Sequence, residues 1–360
     1  MKVYVDTENK FIEKFDANTG FYIRSGVIEN GKDTGVDPFM RNFPQLIDIG
    51  VMGECTHGLE GLCRKAGVQC YQSGDRVVRG NMPLSDFISI ADQCAGKVFQ
   101  FALGGRGDVD QHEHIEQILA ISRDRGIVPN FTTSGLKMTP NIAKTCKKYV
   151  GAIAVSWYRA QHTLDAIYML LQSGIKTNIH YVLGNNTIDE AIERLKNRSF
   201  PKGVNAVIFL LHKPVGLGEE ANVLLHNDKK VKEFFKVVDG LEQPCKIGFD
   251  SCLVPGLVTM TKNIDYTSTD YCEGARYSCY IDAQMNMMPC SFVQDGRWSV
   301  NLRYSSIVET WKRAPFKRFR NFLRNSCPKC PDRSLCGGGC PIVNQVTLCN
   351  RKERFYEDQN

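Results

Sequence analysis

The sequence predicts an α/β fold of six successive βα units around a parallel sheet, with a small N-terminal β cap and a cysteine-rich C-terminal domain. Three observations carry that expectation. Between Leu46 and Leu211 short β-branched and aromatic runs alternate with amphipathic stretches of helical period. Turn signals dominate residues 1–45. From about residue 245 the periodicity fades, and eight cysteines crowd between Cys272 and Cys349. The expected units are therefore a cap at 1–45, the βα series at 46–243 and the cysteine-rich domain at 244–360.

Six strands are expected, at Leu46–Met52, Val98–Leu103, Val128–Thr133, Ala152–Trp157, Thr177–Leu183 and Ala206–His212. Each is near-continuously apolar, as strands covered on both faces are, and none needs a polar face. The helices between them show the 3.6 period: Leu84, Phe87, Ile88 and Ala91; Ile115, Ile118 and Leu119; Leu164, Ile167, Tyr168 and Leu171. Thr139 before Pro140 suits an N-cap and first helical position, and Thr187 with Glu190 has the capping-box spacing. A last helix through Val231, Phe234, Phe235 and Val238 ends at Gly240. In the cap, Asn18 to Gly20, Asn30-Gly31 and Asp33 to Gly35 separate short strand-like runs and predict one or two hairpins.

Composition narrows the function. Hydrophobic residues are 42% and charged residues 23%, so the chain can bury a core and should fold throughout. A net charge of +6 is too weak to argue for nucleic acid. The N-terminus has no signal-peptide stretch and no run approaches the ~20 apolar residues of a membrane span, so the chain reads as cytoplasmic. Fifteen cysteines in that compartment point to metal binding or chemistry rather than disulfides.

The tail cysteines are Cys272, Cys279, Cys290, Cys327, Cys330, Cys336, Cys340 and Cys349, the number that two four-iron clusters with full thiolate ligation need. Cys327-x2-Cys330-x5-Cys336-x3-Cys340 surrounds Gly337, Gly338 and Gly339, whose backbone can approach sulfur closely. A pair of structural zinc sites, making a zinc-bound interaction module, is the alternative reading of such spacing. This tail resembles the SPASM domain, which ends many radical S-adenosylmethionine (radical SAM) enzymes. The resemblance implies one cluster on Cys272, Cys279, Cys290 and Cys340 and another on Cys327, Cys330, Cys336 and Cys349. Met285 stands where that family usually has glycine.

Upstream, the first strand is followed at once by Cys55, Cys63 and Cys70-Tyr71, which resembles the site that opens the radical SAM barrel. The resemblance implies a partial (β/α)6 barrel and a third [4Fe-4S] cluster held by three cysteines. Its open iron chelates S-adenosylmethionine, and one electron breaks the sulfonium bond to give a 5′-deoxyadenosyl radical. Here the spacing is Cys-x7-Cys-x6-Cys, where Cys-x3-Cys-x2-Cys is usual. Loop lengthening costs only about 0.6 kcal/mol per doubling, so the longer loop is compatible with one cluster. Gly104-Gly105 resembles the family's Gly-Gly-Glu, with Arg106 in place of Glu and Asp108 the nearest substitute for binding the S-adenosylmethionine amino group. Ser134, in Thr133-Ser134-Gly135, and Ser156 with Arg159 lie where the family contacts ribose and carboxylate.

The other cysteines read differently. Cys94 and Cys146 fall on apolar helix stripes as small hydrophobes, and Cys245 and Cys252 at the domain junction either pack or line the substrate cavity. The basic, aromatic segment from Trp311 to Arg324 has Phe316, Phe319 and Leu323 on one face, so an amphipathic helix with solvated charges, bridging the two cluster halves, is expected rather than a nucleic-acid surface. By resemblance the activity is hydrogen abstraction from a peptide or protein, leading to oxidation, crosslinking or epimerisation, with electrons from a donor such as flavodoxin or ferredoxin. A radical SAM dehydrogenase or mutase acting on a small molecule is the alternative. Ser291-Phe292 follows Cys290 where sulfatase maturases usually carry Asp, so no catalytic base is assigned. The 45 residues ahead of the first strand are too few for a separate leader-binding domain.

Overall fold

The structure is a computed structural model that describes residues 1–55, 57–58, 61–65, 69–74, 79–293 and 295–349. The cap is a three-stranded antiparallel sheet, β1 (Lys2–Asp6), β2 (Phe11–Phe15) and β3 (Tyr22–Arg24), followed by a hairpin of β4 (Ile28–Glu29) and β5 (Lys32–Asp33). The hairpin turns on Asn30-Gly31, with φ of 50° and 76°; the two-residue turn matching strand twist needs positive φ at both positions. The cap is tied down by Glu13 and Arg41, paired at 2.8 Å with both side chains fully buried. Removing either partner would strand a charge away from water.

The six expected strands are present as β6 (Leu46–Met52), β7 (Gln100–Gly105), β8 (Val128–Thr133), β9 (Ile153–Ser156), β10 (Thr177–Leu183) and β11 (Ala206–Leu211), all parallel and in sequence order. A seventh parallel strand, β12 (Lys246–Phe249), extends the series beside β11. After β6 come α1 (Leu62–Lys65) and α2 (Leu84–Cys94). The later crossovers are α3 (Ile115–Asp124), α4 (Pro140–Tyr149), α5 (Gln161–Gln172), α6 (Ile188–Asn197) and α7 (Lys229–Gly240), and α8 (Val254–Met260) follows β12. On β6's free side the C-terminal region adds β13 (Ser278–Ile281), β14 (Asn286–Met288) and β15 (Val300–Asn301), so one ten-stranded sheet runs from the βα series into the cysteine-rich region. β13 lies parallel to β6 with Tyr280 opposite Asp48, while β14 and β15 return antiparallel.

Helix packing follows the apolar stripes. Phe87, Ile90, Ala91 and Cys94 are buried on α2, Ala143 and Cys146 on α4; both cysteines are fully buried, as small hydrophobes. Tyr168 departs from its expected stripe: α5 buries Thr163, Ala166, Ile167 and Leu170, leaving Tyr168 47% exposed. Thr139 caps α4 by accepting from the Ile142 N–H ahead of Pro140. The capping box expected at Thr187 does not form. Its hydroxyl accepts from Gly184 N–H and donates to Val182 carbonyl, and Glu190 is drawn to Trp157, Arg194 and Arg159 instead. Competing tertiary partners outbid a local bond worth about 1 kcal/mol.

The strands do have a polar face. On one side of the sheet Asp48, Ala102, Asn130, Asn178, His180 and Ile208 are partly exposed, while Ile47, Ile49, Phe101, Leu103, Ile179, Tyr181, Val207 and Phe209 beside them are buried. The helices cover the buried side. The concave side encloses a lumen, which an apolar-run reading of strands covered on both faces does not anticipate.

The C-terminal region continues with α9 (Ile307–Trp311), α10 (Ala314–Asn325) and α11 (Arg333–Cys336). α10 buries Phe316, Phe319 and Leu323 as expected, but also Arg320, whose guanidinium donates to Ala275 and Trp311 carbonyls. One of its charges is therefore a buried brace and not a solvated one. Met285 adopts φ 68°, the left-handed conformation glycine usually fills, closing a turn in which its N–H donates to Asp282 carbonyl at 3.0 Å. Asp282 also accepts from Gln284 and Asn286 N–H, which holds the turn without glycine.

Candidate functional site

Cys55, Cys63 and Cys70 follow the C-terminal end of β6, the end at which parallel α/β folds place their sites. All three thiols are partly buried. Cys55 Sγ accepts from Gly58 N–H at 3.2 Å, and Cys63 Sγ lies 3.3 Å from the Tyr158 hydroxyl beyond β9. Burial pushes the Cys63 thiol up to about 11, with the thiols of Cys70 and Cys55 adding to the rise and the Tyr158 bond opposing it. Burial likewise raises Cys55, opposed by the N–H groups of Gly58 and His57 and reinforced by Cys70. The three thiols thus act on one another. Residues 56, 59–60, 66–68 and 75–78 in the surrounding loop lie outside those described.

Gly105 at the end of β7 takes φ 120°, and a Cβ there would stand 2.4 Å from Met52 carbonyl oxygen, so only glycine lets β7 close against β6. Arg106 N–H donates to that same carbonyl at 2.9 Å, and its guanidinium reaches Gln72 carbonyl. Asp108 lies beside the thiols: its carboxylate takes Ser134 N–H and hydroxyl and stands 2.8 Å from His57 Nε2. The loops after β7 and β8 and the cysteine loop are therefore tied at one carboxylate. Ser156 ends β9 on the lumen face, opposite His180. Arg159 is turned to Glu190 on α6.

The tail thiols form two groups. The thiols of Cys330, Cys327 and Cys349 all act on Cys336, and Gly338 N–H donates to it. The run Gly337 to Gly339 has φ of 57°, 82° and 92°, and a Cβ on Gly338 would meet Ser326 Oγ at 2.3 Å. In the other group Cys252, Cys272 and Cys290 act on one another, Cys272 also acts on Cys340, and the hydrogen-bonded thiol partner of Cys340 is Cys252. Cys279, expected here, sits on β13, where burial raises its pKa well above the ordinary thiol value. The cause is register: β13 pairs with β6, Cys279 opposite Ile47, and carries that thiol into the apolar layer. Among the described residues no three His, Cys, Asp or Glu side chains converge closely enough to hold one metal ion.

Three features were not legible as site residues. Asp48 lies on the lumen face of β6, and among the described residues no hydrogen bond or ion pair to its carboxylate is found. Lys213, after β11, is buried, pairs with Asp250 at 3.1 Å and lies 4.1 Å from the Phe292 ring centroid. Asp250 and the thiols of Cys252 and Cys340 hold its pKa above the ordinary lysine value although burial works against it. A polar cavity of about 200 Å³ opens beside the end of β6, lined by Gln72, Arg79, Arg106, Asp282, Gln284 and Ser291.

Burial alone pushes Asp48 up to about 7. A carboxyl whose folded pKa exceeds its unfolded ~3.9 binds more protons when folded, so its contribution to stability is full below pH ~4 and is lost as pH rises through about 7. Glu273, also pushed to about 7 by burial, has the same sign. Urea denaturation of the cluster-free chain is expected to show stability falling between pH ~4 and ~7, with Asp48→Asn removing roughly half the slope. An unchanged slope would place Asp48 in ordinary solvent.

The central parallel sheet and its crossovers have the partial α/β barrel fold of the radical SAM enzymes. Streptococcus suis SuiB bound to S-adenosylmethionine matches with a TM-score of 0.63 at 15% identity, over 84% of this chain and 74% of that one. SuiB bound to the precursor peptide SuiA matches equally, over 87% and 77%. Native anSMEcpe with bound AdoMet and Cp18Cys peptide matches with a TM-score of 0.59 at 15% identity, over 86% and 92%. No protein-family model and no curated protein matches the sequence. Among the described residues no helix is long and apolar enough to cross a membrane.

Proposed function

We propose that this chain is a radical SAM enzyme that abstracts hydrogen from a peptide or protein substrate. The observation that carries the reading is that Cys55, Cys63 and Cys70 follow the C-terminal end of β6 close enough for their thiols to act electrostatically on one another, beside Gly105 and the Asp108–Ser134 tie. Three soft thiolates, partly shielded from water, fit a four-iron cluster with one open iron. When bound, that cluster supplies the electron that cleaves S-adenosylmethionine to a 5′-deoxyadenosyl radical.

The chain's own residues do the rest. The Gly104-Gly105 backbone lets the methionine end of S-adenosylmethionine approach, and Asp108 accepts from its ammonium while holding Ser134 toward the ribose. Ser156 and the polar lumen receive the reacting part of the substrate, and the apolar layer behind them excludes water from the radical. Cys252, Cys272, Cys290 and Cys340 would hold one auxiliary cluster and Cys327, Cys330, Cys336 and Cys349 the other. A peptide substrate is supported by the solved complexes of SuiB with SuiA and anSMEcpe with Cp18Cys peptide. Electrons would come from a small carrier such as flavodoxin or ferredoxin.

Anaerobically reconstituted protein is expected to be brown, to bind about twelve irons with matching sulfide, and to release 5′-deoxyadenosine and methionine from S-adenosylmethionine on reduction. A colourless protein with two zincs and no sulfide would replace this reading with the zinc-bound module.

A further inference from the structure

The loop after β11 carries a buried lysine. Lys213 is 3% exposed, and its ammonium donates to Asp250 Oδ2 and to Leu211 carbonyl, both at 3.1 Å. The residues that surround it belong to the auxiliary thiol group by sequence as well as by space. Asp250 is two residues before Cys252, and Phe292 is two residues after Cys290. Phe292 is itself a bridge: one contact is the Lys213 ammonium, the other is Tyr71 at 4.5 Å between centroids, next to Cys70 of the first thiol group. Cys252 hydrogen-bonds Cys340, and Lys213 acts on Cys252, Cys290 and Cys340 alike.

A buried cation is costly, and a helix or strand end could be pinned there by an uncharged side chain at lower cost. What an ammonium adds is a positive potential at the sulfur group in a medium of low dielectric. We infer that Lys213 is the positioning charge that sets the reduction potential of the cluster held by Cys252, Cys272, Cys290 and Cys340, making that site the favoured acceptor for an electron leaving the lumen. This rests on the cluster assignment proposed above. Asp250 anchors the ammonium from behind and partly offsets it. The two members of the pair therefore pull the potential in opposite directions, which no purely structural role requires.

The test is a redox titration of the reconstituted full chain followed by electron paramagnetic resonance. The signal that responds to S-adenosylmethionine marks the first cluster and the others are auxiliary. Lys213→Met is expected to make one auxiliary cluster at least tenfold harder to reduce, a drop of about 59 mV for one electron. Asp250→Asn is expected to move the same midpoint upward, and Lys213→Arg to keep it. Lys213→Gln, which can still reach Leu211 carbonyl, serves if the methionine variant does not assemble. Midpoints that stay put, or that move the same way in the Lys213 and Asp250 variants, overturn the inference. So does loss of the cluster from both the Met and Gln variants with the fold intact, which would make Lys213 a simple brace. Wild-type protein with full iron but unmoved variants sinks this inference alone; wild-type protein without auxiliary iron sinks the cluster assignment first.

Discussion

Replacing Cys55, Cys63 and Cys70 together with alanine is expected to abolish 5′-deoxyadenosine formation while leaving about eight of about twelve irons bound. The two tail groups have their own thiols and their own loops, so their loading does not depend on the loop after β6. Single substitutions should each be as damaging as the triple, because a three-thiolate site that loses one ligand has no spare among the three. Cys63→Ala is the most informative of them. Its thiol is held by Tyr158 from beyond β9, a contact that ties the unusually long cysteine loop to the barrel. A Cys63→Ala protein that kept full cleavage would mean that another nearby group, such as His57, serves as third ligand. Iron analysis and product chromatography on the same samples decide between these outcomes.

Exchanging Cys252 and Cys279 in turn is expected to separate the two candidates for the fourth auxiliary thiol. Cys252→Ala should cost about four irons, because that thiol is hydrogen-bonded to Cys340 within the group of Cys272 and Cys290. Cys279→Ala should keep the iron and instead lower stability by roughly 1–2 kcal/mol, as for a small buried side chain truncated in a core. Iron loss from the Cys279 variant with Cys252→Ala fully loaded would reverse the assignment. The spacing resemblance had favoured Cys279, which lies closer in sequence to Cys290.

Much of the architecture was written in local pattern. The strand bounds Leu46–Met52, Val128–Thr133 and Thr177–Leu183 are those of the apolar runs, the Asn30-Gly31 turn is the expected hairpin, and the Phe316, Phe319 and Leu323 stripe faces inward. These follow from short-range rules: alternation, the 3.6 period and the φ that a residue tolerates. The Gln100–Gly105 strand starts two residues later than its apolar run, and Phe99 just ahead of it stacks on Phe15 of the cap, 5.2 Å between centroids. Lys246–Phe249 was missed as a strand. Its four residues are too few for their alternation to signal a strand, and pairing with β11 makes them one.

By itself the sequence determined the α/β class, the hairpin cap, that Cys94 and Cys146 pack as hydrophobes and that other thiols fall into a group after the first strand and groups in the tail, since all of these depend on neighbours within a few residues. The tertiary structure alone decided which thiols meet. Strand register sends Cys279 to the apolar layer, the turn before α8 brings Cys252 to Cys340, and the curve of the sheet leaves Asp48 on an inner face with no hydrogen-bond partner among the described residues, while Lys213 is buried between Asp250 and Phe292. Such contacts join residues tens to hundreds of positions apart, and no periodicity in the chain encodes them; they exist only once the sheet has fixed which face each side chain occupies.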